Sequence, residues 1–457
     1  MSSIQSVILA AGKGTRMKSK KSKILHEVAG RPIIDWVVRC ALDAGSSRVV
    51  TILGHQSDFI EAHLKSQFGD LVSFAYQREQ LGTGHAVYCA LSELVGYAER
   101  TVILSGDVPN LSPETLSAFL LASEDQAGLM TSVLEDAKHY GRIVRNEKGV
   151  QSIVEFKDAS AEERKIKEIN AGFYAFDTAD LNTTLKQLLK EEPTNAQGEY
   201  YLTDLVAMIG PCLGWQLPDA REMEGVNNRL DLAEAESFAR KRINTYWMLE
   251  GVTFIDPETT YIGAEVKLAP DVTLAPHVIL KGKTTIAADT FIDAGAVIED
   301  TSIGEGVHVL PHCHLEDSKI DNHAKIGPFV HLRPGADIGP ECKVGNFVEI
   351  KKVRLDRGAK ANHHSYLGDG HVGEKCNIGA GTIFCNYDGK NKNFITLGKG
   401  VFIGSNSALV APLTIGDNAY VGAGSTITKD IPKDSLAVAR GRQKNIENWS
   451  PPAKPKK

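Results

Sequence analysis

The sequence lacks a C-x-x-C pair among its cysteines, an excess of basic residues, an apolar run long enough to cross a bilayer and a leader-like N-terminus. Each absence excludes a class. The seven cysteines are an odd number, so at least one thiol stands outside any intrachain disulfide. Their scatter predicts reduced thiols in a cytoplasmic protein. A net charge of −6 excludes a generic nucleic-acid binder, which needs a basic surplus to neutralise phosphates. The apolar run Val7 to Ala11 is short, and basic residues follow it rather than precede it, so it does not read as a secretory signal. No stretch reaches the ~20 apolar residues of a transmembrane helix. What is present, 42% hydrophobic and 24% charged residues over 457 positions, describes a globular chain of two or three domains.

Two textures divide those positions. Residues 1–228 alternate short apolar runs with helix-like stretches. Ser6 to Ala10, Val49 to Leu53 and Thr101 to Leu104 read as buried strands, and Ile33 to Ala44 and Pro113 to Ser123 as helices. That alternation predicts an α/β domain with a mostly parallel, Rossmann-like sheet. Ligands of such sheets sit beyond the carboxyl ends of the strands. Residues 229–250 read as one linking helix, capped by Asn228 and ended by Gly251, with Leu232, Ala235, Ala239, Ile243 and Tyr246 near one face. Residues 251–457 form the second domain. There aliphatic residues recur every six positions, from Ile262, Leu268, Leu274 and Leu280 to Val421 and Ile427. Four steps are five residues instead, beginning at Ile298, Leu315, Ile350 and Leu367. A sustained period of six does not fit an α-helix. It predicts a left-handed parallel β-helix, three hexads to a coil and every anchor pointing inward. One long break, Phe384 to Thr396, reads as a projecting polar loop. The end Lys454-Pro455-Lys456-Lys457 reads as a loose basic tail.

The first strand runs into Leu9-Ala10-Ala11-Gly12-Lys13-Gly14-Thr15-Arg16-Met17. Glycines let a backbone approach a phosphate, and Lys13 and Arg16 aim charge at it. The segment is neither a P-loop nor the dinucleotide fingerprint, because Met17 stands where the third glycine would be. Lys20, Lys21 and Lys23 follow. Asp107 ends another apolar strand, in Leu104-Ser105-Gly106-Asp107-Val108-Pro109, a natural position for a Mg²⁺ ligand.

The period itself places residues in the second domain. Arg333 and Lys351 each follow an anchor and are eighteen residues apart, one full coil. They are therefore predicted to stack on one edge, where two like charges repel unless an anion lies between them. His363 stands two residues past its anchor, with Asn346 one coil below and Ala380 one coil above. Ser405 and Ala423 continue that column if the polar loop leaves the coil count intact. His308, His312 and His314 fit no metal-ligand spacing and read as exposed repeat positions.

These segments resemble the sugar-1-phosphate nucleotidyltransferases. Further motifs narrow the likeness: QREQLGTGHA from Gln77, Tyr140-Gly141-Arg142-Ile143, Ile153-Val154-Glu155, Ile169-Asn170-Ala171-Gly172, QGEYYLTD from Gln197 and Glu224-Gly225-Val226-Asn227-Asn228. With the β-helix, nearly the whole chain is similar to the bacterial bifunctional N-acetylglucosamine-1-phosphate uridyltransferases and glucosamine-1-phosphate N-acetyltransferases. The resemblance implies synthesis of UDP-N-acetylglucosamine, a precursor of peptidoglycan and lipopolysaccharide, from UTP, acetyl-CoA and amino-sugar 1-phosphates. It implies that Leu9, Ala10, Ala11, Gly12, Gln77, Gly82 and Thr83 hold the nucleotide, and that Gly141, Glu155 and Asn170 hold the sugar. Asp107 and Asn227 would bind Mg²⁺, and Lys13, Arg16 and Lys23 would neutralise phosphates. In the second domain it implies His363 as general base, and Glu349 is a candidate to orient it. Arg333, Lys351, Tyr366, Asn377, Asn386 and Lys392 would hold glucosamine 1-phosphate. Ala380, Asn386, Tyr387, Ser405, Ala423 and Arg440 would line the acetyl-CoA site. Family members are homotrimers through the β-helix, with acetyl-transfer sites shared between subunits. A single-activity sugar nucleotidyltransferase with a structural or regulatory β-helix is the alternative.

Overall fold

The computed structural model describes residues 3–450; the basic tail from Lys454 lies outside the described residues. The chain separates into two compact units, 1–240 and 241–457, and the division falls within the helix Arg229–Leu249.

The first unit is built on a nine-stranded sheet. Its path runs Leu213–Gln216, Gly128–Val133, Glu168–Asp177, Arg100–Ser105, Ile4–Ala10, Val49–Leu53, Val72–Tyr76. The last four strands are mutually parallel, whereas Glu168–Asp177 runs antiparallel to both its neighbours. Successive side chains on a strand face opposite ways. Accordingly Ile8 and Leu104 join one apolar cluster with the helices Ile33–Asp43, Ser57–Phe68 and Pro113–Ala122, while Val7 and Ile103 join a second with Thr83–Cys89, Thr178–Leu188 and Asp204–Ile209. Burial on both faces is why these strands read as unbroken apolar runs rather than alternating ones.

The helix Arg229–Leu249 is capped as expected, with the Asn228 carboxamide oxygen accepting from the N–H groups of Leu230 (2.7 Å) and Asp231 (3.1 Å). Its expected apolar face needs one correction. Ala235 and Ala239 are buried, but Tyr246 is 54% exposed. The buried residue on that last stretch is Asn244, whose amide donates to the carbonyls of Pro257 (2.9 Å) and Thr260 (3.0 Å). Satisfying two loop carbonyls outweighs keeping an apolar stripe in phase.

In the second unit the six-residue anchors lie side by side in one continuous core. Every anchor from Ile262 to Ile427 is buried. Strands of two to seven residues pair parallel with the coil above and below, forming sheets of eleven and seventeen strands among the described residues. The eleven-stranded sheet is one face of the prism and the other forms the remaining two. The five-residue steps do not disturb the stacking, because Ile350 still sits on Leu367 and Leu355 on Val372. There the strands Glu349–Leu355 and Tyr366–Val372 run unbroken around a corner. The long break is narrower than expected. Phe384 and Ile395 are buried, and Phe384 pairs in register with Leu409. Phe384 is the anchor of its hexad, and an aromatic ring fills the place an aliphatic one takes elsewhere. Only residues 386–394 leave the coil.

Candidate active sites

At the carboxyl ends of the parallel strands, the glycine loop meets two other segments. Gly14 is the glycine the turn requires: its φ is +59°, and an added Cβ would lie 2.7 Å from Lys23 Cβ. Gly12, by contrast, faces open space. The Gln80 amide donates to the Ala11 carbonyl (2.9 Å), and that of Gln77 donates to the Gly82 carbonyl (2.9 Å). Gly82 has φ +109°, and an added Cβ would meet the Tyr200 carbonyl oxygen. Thr83 Oγ1 accepts from the Leu202 N–H at 3.0 Å. Two sequence motifs 120 residues apart are thus pinned together. A cleft of about 580 Å³ opens beside them, lined by Lys13, Tyr76, Gln77 and Gln80 among others.

A second convergence lies on the other side of the loop. Lys23 Nζ is 2.5 Å from Asp107 Oδ2 and 3.5 Å from Asn227 Oδ1, which also accepts from Arg16 at 2.9 Å. Asp107 is held by its own backbone, its carbonyl accepting from Val226 N–H (2.9 Å). Two oxygen donors, one of them a carboxylate, therefore face one point of positive charge. Arg16 and Asn227 also line a cleft of about 410 Å³ with Lys138, Tyr140 and Glu224.

Gly141, Glu155 and Asn170 form a third group. The vacant Cβ position of Gly141 lies 3.5 Å from Glu155 Oε1, and its carbonyl accepts from Asn170 N–H (3.0 Å). Asn170 stands at a register shift in its strand, where Gly172 has φ +81°. A bulge re-aims the side chain there. The Asn170 carboxamide is held at both ends, by Gly172 N–H (3.0 Å) and by the Tyr174 hydroxyl (2.6 Å). Burial pushes the Glu155 carboxyl above the usual range, against a hydrogen bond from Thr203.

In the second unit the predicted columns are present. Leu332 pairs with Ile350, so Arg333 and Lys351 occupy adjacent coils at one corner. Lys392 joins them from the loop. The Lys392 ammonium, and after it Arg333, hold Lys351 below the ordinary lysine range. The Tyr366 hydroxyl and the Asn386 amide flank Gly368, at 2.5 and 2.8 Å from where its Cβ would stand. Asn386 also donates to Asp369 at 2.5 Å. The loop is a small hairpin in which Tyr387 bridges to Lys392 and Asp388 accepts from the N–H groups of Lys390 and Asn391.

His363 lies at the next corner. Asn346 pairs with it, and the backbone ladder continues through Ala380, Ser405 and Ala423. The loop therefore leaves the coil count intact. Arg440 donates to the Ala423 carbonyl at 2.7 Å. Two expectations change. Glu349 does not orient the imidazole; it accepts from Arg333 at 2.7 Å, the nearest cation on the adjacent coil. Asn377 stands apart, because it begins a strand of the eleven-stranded face, stacked between Lys360 and Phe402, while Arg333 and Lys351 lie on the other sheet. Sequence reasoning missed Gln80 and Thr203, both in motifs already singled out, and Tyr174, four residues past Asn170 across the register shift in their strand.

A nucleotidyltransferase α/β domain followed by a hexapeptide-repeat transferase domain is the class these features define. Residues 6–168 match the MobA-like NTP transferase domain, and residues 317–352 and 394–429 the bacterial transferase hexapeptide repeat. The chain is 45% identical to the bifunctional protein GlmU of Geobacillus sp. (strain WCH70), covering 97% of this chain and 96% of that one. It is 46% identical to that of Heliobacterium modesticaldum, with 97% of each covered. A UDP-glucose pyrophosphorylase complexed with UDP-glucose is 19% identical over 52% of this chain and 99% of that one, with a TM-score of 0.42, a likeness too slight to carry an argument. The chain belongs to the family of bifunctional GlmU proteins. It is an enzyme with uridyltransferase and acetyltransferase activities.

Proposed function

We propose that the second unit acetylates glucosamine 1-phosphate from acetyl-CoA and that the first then joins the product to UTP. In the first reaction the sugar amine attacks the thioester carbonyl. A C–N bond forms, the C–S bond breaks and His363 takes the amine proton. The sugar phosphate is drawn to Arg333, Lys351 and Lys392, whose mutual repulsion an anion relieves. Backbone N–H groups or Ser405 donate to the oxyanion. Ala380, Ser405 and Ala423 form a small-residue shelf beside His363 on which an extended cofactor can lie, with Arg440 at its end.

In the second reaction a sugar phosphate oxygen attacks the α-phosphorus of UTP and pyrophosphate leaves. No side-chain nucleophile is needed, so the protein's task is positioning and charge. Lys13 and Arg16 neutralise phosphate oxygens. Gln77, Gly82 and Thr83 hold the uridine nucleotide, and Gly141, Glu155 and Asn170 the sugar. Asp107 Oδ2 and Asn227 Oδ1 both face the Lys23 ammonium, and an all-oxygen pair with one carboxylate fits Mg²⁺. Asp107 and Asn227 would hold Mg²⁺, which would supply charge neutralisation at the phosphates, and Lys23, displaced from that pair, would turn to the nucleotide.

Two observations support assembly through the β-helix. Asn377 is on a different face from the rest of its expected site, which fits a site completed by a second copy. Along one corner the rings of His312, Phe329 and Phe347 stack at centroid spacings of 5.3 Å, with Phe329 and Phe347 46% and 60% exposed. Such a strip favours burial against another chain. The seven free cysteines, five of them buried, favour a reducing compartment such as the cytoplasm. Among the described residues no helix is long and apolar enough to cross a membrane.

The observation that carries the two-activity reading is the crowding of Lys351 by Lys392 and Arg333 one corner from His363. Its test is release of free thiol when the protein meets acetyl-CoA and glucosamine 1-phosphate. Steady release, abolished in His363→Ala, is expected. No release would leave a nucleotidyltransferase with a structural β-helix.

A further inference from the structure

The histidines that lie close in sequence separate in space. His308 packs edge-on against Phe291, and His312 stacks on Phe329 at a corner. His314 instead meets a residue seventeen positions on. It begins the strand His314–Glu316 and pairs in register with His331 in the adjacent coil. Their ring centroids are 5.3 Å apart. Glu316 follows His314 by two, so both side chains leave the strand on the same side. His314 Nε2 is 2.8 Å from Glu316 Oε1, and His331 Nε2 is 3.9 Å from Glu316 Oε2. One donor atom from each residue falls within 4.8 Å of the others.

We propose that His314, Glu316 and His331 form a binding site for a divalent transition ion of the zinc type, distinct from the oxygen-donor pair at Asp107. Two imidazole nitrogens and one carboxylate select Zn²⁺, Co²⁺ or Ni²⁺ over Mg²⁺ or Ca²⁺, which take oxygen ligands. Bonds of about 2.0–2.1 Å in a tetrahedron hold donors ~3.4 Å apart. The observed separations bracket that value, and the three side chains are 39–50% exposed, so small rotations close the site. The carboxylate is available. Among the described residues Glu316 forms ion pairs with these two imidazoles alone, and the nearby Arg333 is engaged by Glu349. Three protein ligands leave a fourth position to solvent.

The test is a calorimetric titration of the metal-stripped, untagged full chain with Zn²⁺ in excess Mg²⁺, so that oxygen-only donors are already occupied. One Zn²⁺ bound per chain is expected. Binding should be lost in His331→Ala and His314→Ala, weakened in Glu316→Gln and kept in His312→Ala. Cobalt in place of zinc should give the visible absorption of a four-coordinate ion, absent from His331→Ala. Because all three side chains are exposed, the variants should melt with the parent, and circular dichroism checks this. His331→Asn, which keeps a polar side chain, guards against a folding defect. Zinc binding unchanged in folded His331→Ala, displacement by Mg²⁺, or no zinc bound by the parent chain would each overturn the site.

Discussion

The two units place their chemistry by different rules. In the second, position follows from arithmetic: anchors one coil apart stack, so residues at equal offsets form columns. In the first, the groups that meet come from loops at strand ends, and no interval in the sequence relates Lys23 to Asp107 or Gly82 to Tyr200. A repeat fold makes its surface legible along one direction, whereas a sheet with crossovers hides its contacts in the topology.

The sharpest way to break that comparison is to disable each unit alone. Asp107→Ala should lower uridylyl transfer by about 10²–10³-fold, the scale of losing a charge-positioning group, and leave acetyl transfer intact. His363→Ala should lower acetyl transfer by about 10²–10⁴-fold, the scale of a general base, and leave uridylyl transfer intact. Rate assays on both variants check this; loss of both activities in either folded variant would join what the units are expected to keep apart.

A stability contrast comes next. Ile320 is fully buried among the anchors. Ile320→Ala should cost ~2–5 kcal/mol of β-helix stability, because neighbouring coils cannot collapse into the cavity. Repeat folds pass such damage only to adjacent coils. Scanning calorimetry should show a lowered transition for the second unit while uridylyl transfer persists.

A smaller effect separates two glycines that look alike in the sequence. Gly82→Ala should cost ~1–3 kcal/mol, since both its φ and the Tyr200 backbone oppose a side chain. Gly12→Ala should leave the melting temperature unchanged and raise the KM for UTP, because its Cβ meets nothing but the space a nucleotide would fill. Equal melting losses would show that Gly12 is only a turn.

The smallest effect is on pH dependence. Lys351 is held below the ordinary lysine range, mainly by Lys392. Its charge is therefore lost at lower pH than that of an ordinary lysine, and affinity for the sugar phosphate falls as alkali removes it. Removing the neighbouring ammonium in Lys392→Ala should move that alkaline limb to higher pH while weakening binding overall. A limb that stays in place in KM profiles would show that Lys351 is not the group titrating.

How much was legible follows the same divide. Six-residue spacing was enough to place Arg333 over Lys351 and His363 between Asn346 and Ala380. It failed at Phe384, where an aromatic anchor reads as the start of a loop. In the first unit the strands and most helices were readable from apolar runs. Which loops met was not, because hydrogen bonds such as Gln80 to Ala11 depend on how the sheet is wound. Asn244 shows the limit of periodicity on a helix: two carbonyls awaiting a donor decided which face was buried.

One mixing experiment tests the division of labour most directly. Asp107→Ala and His363→Ala proteins are combined with glucosamine 1-phosphate, acetyl-CoA, UTP and Mg²⁺, and UDP-N-acetylglucosamine is measured by chromatography. Neither variant alone should make it, and the mixture should, because acetylated sugar phosphate released by one protein reaches the intact first unit of the other. A mixture of folded proteins that acetylates the sugar yet yields no nucleotide sugar would contradict two separable sites on one chain.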